Sequence, residues 1–316
     1  MCAILRNELI VHKHQKLYIC SDKKIKMVIA NPIYDVVFKR LMEDKRIAKF
    51  FIGTLLEQNI ETVEVKPQEF TYTDELAGLA VFRLDFIATI KTESGELKKV
   101  LIEVQKAKNQ IDLMRFRNYL GEQYKKEETI DNFKVILPIT TIYILGFLLP
   151  EIETPCIKVE RNYKDLIEKK ILCSKSDFVE KLTHDSYIVQ VERITDRYQT
   201  RLDKLLSVFE QRNFIDDTKT IKEFKHATDM EEVKIITDSL HYAGTDPVEK
   251  KKIEVEQEAW RTVEAMYEER AEKLISELRD SKNSIVEKDI AIAEKDMALS
   301  ELTKQLEELK RRLGEK

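Results

Sequence analysis

Hydrophobic positions along the chain follow first a helical period, then a strand period, and at the end a heptad. After Asn31-Pro32, a proline suited to a first helical turn, Tyr34, Val37, Phe38 and Leu41 recur at helical spacing. A second helical stretch, Arg46 to Gln58, gathers Ile47, Phe50, Phe51, Thr54 and Leu55 on one side. Val63 to Val65, Glu69 to Tyr72, Arg83 to Ile90 and Lys98 to Gln105 are rich in β-branched or aromatic residues and bounded by polar breaks, so they predict strands. The polar connection from Lys91 to Leu97 makes the last two an antiparallel hairpin. Asn109 to Glu128 reads as a helix. Lys134 to Phe147 reads as one long apolar strand, bulged or at an edge because Pro138 has no N–H to give.

Beyond Pro155 the pattern is mostly helical: Asp165 to Ile171, Ser176 to His184, Arg197 to Gln211, Asp217 to Ala227 and Met230 to Ala243, with one β-like piece at Ser186 to Arg193. Gly244-Thr245-Asp246-Pro247 marks a break. From Lys251 on, Leu278, Ile285, Ile292, Leu299, Leu306 and Leu313 stand seven apart, with Leu274, Leu302 and Leu309 at the intervening d positions. Ser281, Lys288 and Lys295 are polar exceptions at d. The heptad predicts a coiled coil of open strand number, the alternative being a lone charged helix. The expected divisions are an extension over 1–30, a core over 31–155, a mostly helical part over 156–246 and a coiled-coil tail over 251–316.

Composition adjusts this picture only slightly. Charged residues make up 35% of the 316, and 7 Gly with 6 Pro are too few for a loop-rich chain, so helix should dominate. The acidity lies in the tail, where 254–316 holds 12 Lys+Arg against 17 Asp+Glu; the remainder is near neutral. From Lys98 to Glu128 eight bases face five acids, either an approach for a polyanion or an ordinary solvated helix face. The four cysteines are far apart and read as reduced thiols. The longest apolar run, Pro138 to Pro150, falls short of the roughly 18 residues of a membrane span. With no secretion-type start, the expected setting is cytoplasmic, and Met27 is the expected natural start.

Candidate chemistry sits on the hairpin. Alternation puts Glu103 and Gln105 on one face of their strand, and pairing brings Asp85 near Glu103. Two buried carboxylates close together favour a shared cation, and an all-oxygen set favours Mg²⁺ or Mn²⁺ over zinc. The alternative is that both are exposed polar positions or ion-pair partners of Arg83 and a lysine. His184, His226 and His241 share no spacing with carboxylates and receive no role. Tyr34, Tyr119 and Tyr124 read as core or interface residues rather than nucleophiles.

Four segments in this order, Asn31 to Lys39 (NPIYDVVFK), the Leu84-Asp85 strand, Glu103-Val104-Gln105, and Arg115 to Tyr119 (RFRNY), resemble the recombination-promoting nuclease and transposase family of the PD-(D/E)XK superfamily. Arg193 to Gln211 is similar to that family's C-terminal helices, and the likeness spans about Asn31 to Gly244. The resemblance implies an α/β, restriction-endonuclease-like mixed sheet flanked by helices, and an Mg²⁺-dependent (or Mn²⁺-dependent) DNA endonuclease. It implies Asp85, Glu103 and Asp35 as metal ligands, with Gln105 standing where the superfamily usually has a lysine that orients the attacking water. Lys39, Lys108, Arg115 and Arg117 would contact the DNA backbone. The tail would make the chain a homo-oligomer, placing two sites on the two strands of a duplex. Because Gln105 brings no positive charge, a catalytically weak or inactive module acting as a nucleic-acid-binding scaffold is the alternative function. A cut-and-paste transposase has little support, since no separate DNA-reading domain precedes the core.

Overall fold

The computed structural model describes residues 27–74, 79–106, 110–130 and 132–314, with the side chains at 67–74, 79–85, 110–112, 115, 263 and 267 also outside the description. The expected extension therefore lies outside it as far as residue 26. Two compact units make up the chain, one ending at Glu258 and one spanning Ala259–Lys316.

Elements are numbered in chain order. The first unit opens with β1 (Met27–Ala30), α1 (Asp35–Glu43) and α2 (Lys45–Leu56), continues into β2 (Ile60–Asp74), β3 (Leu79–Thr92) and β4 (Leu97–Gln105), and then α3 (Gln110–Lys125). A small hairpin, β5 (Glu128–Ile130) and β6 (Phe133–Val135), precedes β7 (Ile139–Leu145). Then follow β8 (Cys156–Val159), β9 (Tyr163–Lys164), β10 (Ile171–Leu172), α4 (Asp177–Leu182), β11 (His184–Gln190), α5 (Arg201–Ser207), β12 (Ile221–Phe224), α6 (Glu231–Thr245) and α7 (Pro247–Gly314).

The central sheet is mixed and six-stranded, in the order β2-β3-β4-β7-β11-β8. β2, β3 and β4 are antiparallel neighbours, β4, β7 and β11 run parallel, and β8 returns antiparallel on the edge. Strand parity sorts the two layers. Val100, Ile102 and Val104 of β4, with Phe86, Ala88 and Ile90 of β3, face the main core against α1 and α2, where Phe38 meets Phe86 edge-on at 5.4 Å. Leu101 faces the other way, into a smaller cluster with Ile139 and with Phe116, Tyr119 and Leu120 of α3. Each layer thus buries one period of the strand pattern.

Several expectations change. The two short strands expected near 63–72 are one strand, β2. The long strand expected over 134–147 breaks at Pro138, which lies between β6 and β7, and β7 is internal to the sheet rather than at its edge. The helix expected at 165–171 is instead the turn joining β9 to β10. Asp165 Oδ1 accepts the N–H groups of Ile167 (2.8 Å) and Glu168 (3.2 Å), Lys169 is left-handed at φ 59°, and Leu166 and Ile167 have no core to enter, being 72% and 91% exposed. The helix expected at 217–227 is a loop leading into β12, which pairs with β1 from Met27↔Phe224 to Ala30↔Ile221. The 156–246 part accordingly holds five short strands beside α4, α5 and α6.

The start of α7 belongs to the first unit: Ile253 is 2% exposed in the main core. From Ala259 the helix forms the second unit, where Leu278, Ile285, Leu299 and Leu313 are 55–75% exposed. Among the described residues no helix is long and apolar enough to cross a membrane.

Candidate functional site

Of the residues singled out from sequence, Glu103 and Gln105 lie at the carboxyl end of β4, which runs parallel to β7. A Cβ on Gly146, just past β7, would stand 2.6 Å from both the Ile33 Cδ1 and the Lys106 carbonyl oxygen, so only glycine lets the ends of β4 and β7 and the approach to α1 converge here. The Gly146 N–H donates to the Gln105 carbonyl at 2.8 Å, extending the ladder by one rung. In open α/β sheets, ligands gather at such strand ends.

Glu103 and Gln105 lie on the same face of β4, 1% and 8% exposed. They continue the parity of Leu101, so they belong to the α3 layer of the sheet. The β3–β4 pairing ends at Phe86↔Ile102; continued one residue further, that register would set position 85 across from Glu103. The Asp85 and Arg115 side chains, and Lys108 altogether, lie outside the described residues. Arg117 is exposed on α3.

Asp35 and Lys39 come from α1, in the opposite layer, and both are half-buried. Tyr34, the residue before that helix, caps nothing with its own side chain. The cap comes instead from Glu256 of α7, whose two carboxylate oxygens accept the N–H groups of Asp35 (2.8 Å) and Val36 (3.0 Å). Beside it, Gln257 Oε1 accepts from Tyr34 Oη and, at 3.0 Å, from Lys106 Nζ, which also sits 4.0 Å above the Tyr34 ring. The Tyr34 hydroxyl also lies 3.0 Å from the Thr218 carbonyl, a second acceptor for its one proton, an anchoring role. The basic stretch is not one free face: Lys99 is buried and paired with Glu128 at 2.6 Å, Lys98 with Glu96 at 3.1 Å and Lys125 with Glu122 at 2.7 Å.

A second constellation was not legible in the sequence. Among the described residues, Asp196, Glu210 and His226 form a group whose ligand atoms all lie within 4.8 Å of one another, a possible metal-binding triad. The three sit after the 3-10 turn that follows β11, after α5 and after β12 respectively, on separate segments whose spacing matches no helix or strand period, which is why the sequence did not disclose them. They line a cavity of about 140 Å³ together with Ser207, Arg212 and Lys222. Lys222 is fully enclosed; burial pushes its ammonium down to about 7, against the opposing pull of Glu210, whose carbonyl accepts its Nζ proton. Neither Asp35 nor Glu103 joins a group of this kind among the described residues.

No family model matches the chain, nor does any curated protein or solved structure.

Proposed function

We propose that the chain is a divalent-metal-dependent DNA endonuclease with its site at the carboxyl ends of β4 and β7. The observation that carries this reading is Glu103, a carboxylate 1% exposed on a central strand, on the same face as buried Gln105 and one residue past the last β3–β4 pair, Phe86↔Ile102. Two carboxylates brought close together in a buried setting favour a hard cation shared between them. The order of two helices, an antiparallel three-strand unit, a helix and a parallel strand supports a restriction-endonuclease-like reading.

Glu103 and Asp85 would hold Mg²⁺ or Mn²⁺, for which an all-oxygen donor set is suited; Asp35, on α1 in the opposite layer, is not counted with them. Bound there, the metal supplies an acidified water and a polarised phosphoryl oxygen. Gln105 orients that water through its amide and adds no charge to the phosphate. Lys39, Lys108, Arg115 and Arg117 hold phosphates on either side, fixing the backbone without reading bases. The exposed heptad seam of α7 pairs with a second copy, setting two sites against one duplex.

Plasmid nicking in Mg²⁺ or Mn²⁺ tests the reading. Asp85→Ala and Glu103→Gln are each expected to lower nicking about 100-fold or more, with cooperative melting retained. Undiminished nicking by both variants overturns it. The second reading, a nuclease-fold scaffold that binds nucleic acid without cutting, is favoured by Gln105 in the lysine position; DNA binding by a wild type that neither nicks nor takes up Mn²⁺ at this site would establish it instead.

A further inference from the structure

Asp196, Glu210 and His226 converge without bonding to each other in the way a purely structural triad would. His226 Nε2 lies 3.4 Å from Asp196 Oδ1 and 3.8 Å from Glu210 Oε2. Direct charge-assisted hydrogen bonds close to about 2.7–2.9 Å, whereas donors around a tetrahedral ion with bonds near 2.1 Å stand about 3.4 Å apart. The His226–Asp196 separation matches that of ligands around an ion, the His226–Glu210 one is somewhat longer, and all three donor atoms lie within 4.8 Å of one another.

Two of the three side chains, His226 and Glu210, are held from behind. The His226 ring is stacked on Tyr198 at 4.5 Å with a 3° interplanar angle and flanked edge-on by Phe224 at 5.5 Å. Tyr198 is itself tied to the Ala227 carbonyl. The imidazole plane is therefore fixed by stacking, and neither ring nitrogen makes a hydrogen bond to the described residues. The Glu210 side chain is 9% exposed; Arg212 takes its Oε1, and Oε2 accepts no hydrogen bond from the described residues, pointing toward His226. Asp196, 79% exposed, forms the outer lip. The cavity of about 140 Å³ beside them leaves room for a fourth ligand such as water.

We propose that Asp196, Glu210 and His226 form a second metal site, distinct from the Glu103 region, that takes a first-row divalent transition metal of the zinc type with one position open to the cavity. One imidazole with two carboxylates is a borderline donor set, which prefers Zn²⁺ or Co²⁺ to Mg²⁺. The metal would clamp together the ends of β11, α5 and β12.

The full-length chain, stripped with chelator, is titrated with Co²⁺ and then Zn²⁺ while the visible ligand-field bands of Co²⁺ are followed. One equivalent of Co²⁺ with bands of a four- or five-coordinate ion, displaced by Zn²⁺, is expected for the wild type. Loss of a whole ligand exceeds the 10–100-fold usual for an outer partner, so His226→Ala is expected to weaken binding by more than about 100-fold. Asp196→Asn, at an exposed position where folding is not at risk, should weaken it and shift the bands. Glu103→Gln should leave them unchanged, which separates this site from the proposed nuclease site. Absence of the bands in the wild type, or their persistence in both His226→Ala and Asp196→Asn, overturns the proposal and leaves a plain imidazolium–carboxylate cluster.

Discussion

Asp216 collects donors at the entrance to β12: its carboxylate accepts the N–H groups of Thr220 (3.1 Å) and Ile221 (2.9 Å) and the hydroxyls of Thr218 and Thr220. Burial alone would raise its pKa, but these bonds together prevail and hold it below the ordinary aspartate value. A carboxylate with a lowered folded-state pKa contributes stability above its unfolded value of about 3.9, and that contribution is lost as pH falls through the folded value. Asp216→Asn is therefore expected to cost about 1–2 kcal/mol at pH 7, discounted for partial solvation, with the gap to wild type closing below about pH 4. Urea melts across that range check it; a gap independent of pH would refute the ionic account. The same residue shows where reading the sequence stops. Asp217 to Ala227 had helical spacing, but the carboxylate preceding it offered the backbone a local alternative to helical bonds, and Lys219 turned left-handed at φ 56°. Glu103 and Gln105 were readable because strand alternation is strict; Asp196, Glu210 and His226 were not, because only tertiary folding joins them.

Packing between elements is close where α6 crosses β1. A Cβ on Gly244 would stand 2.9 Å from the Ala30 amide nitrogen, a backbone atom that cannot swing away. Gly244→Ala is accordingly expected to destabilise by about 1–3 kcal/mol. Gly121, on α3 with nothing within 4 Å of its Cβ position, is the control: Gly121→Ala is expected to stabilise by about 0.5–1 kcal/mol through helix propensity. Thermal melts of the pair read the contrast, and equal shifts would contradict the close approach. The elements most legible in the sequence were those with both a strong period and a core to meet. Those were α1, α2 and α3, each burying one face, and the β3–β4 hairpin, buried on both. The turn between β9 and β10 failed that second condition, since apolar spacing at Leu166 and Ile167 had nothing to pack against.

Over the whole molecule, the break at Gly244 to Pro247 was legible as the end of α6, but the sequence did not disclose that the next dozen residues complete the first unit. Glu256 reaches back 221 positions to α1 and Gln257 reaches back 151 to Lys106 just past β4, and no local pattern encodes such contacts. A chain ended at Thr262 keeps them and is expected to melt as a cooperative unit, whereas one ended at Asp246 loses the cap on α1 and should melt several degrees lower, roughly. Light scattering on the full chain and on the Thr262 form tests the seam: the longer is expected to be dimeric or larger and the shorter monomeric, and equal monomeric masses would exclude assembly through the heptads. The pairing of β1 with β12 also has a temporal side. Met27–Ala30 leaves the ribosome long before Ile221–Phe224, its only strand partner among the described residues, exists. At translation rates of about 5–20 residues per second, the nascent segment waits on the order of 10–40 s for that partner, an interval in which chaperones or a foreign strand compete for it.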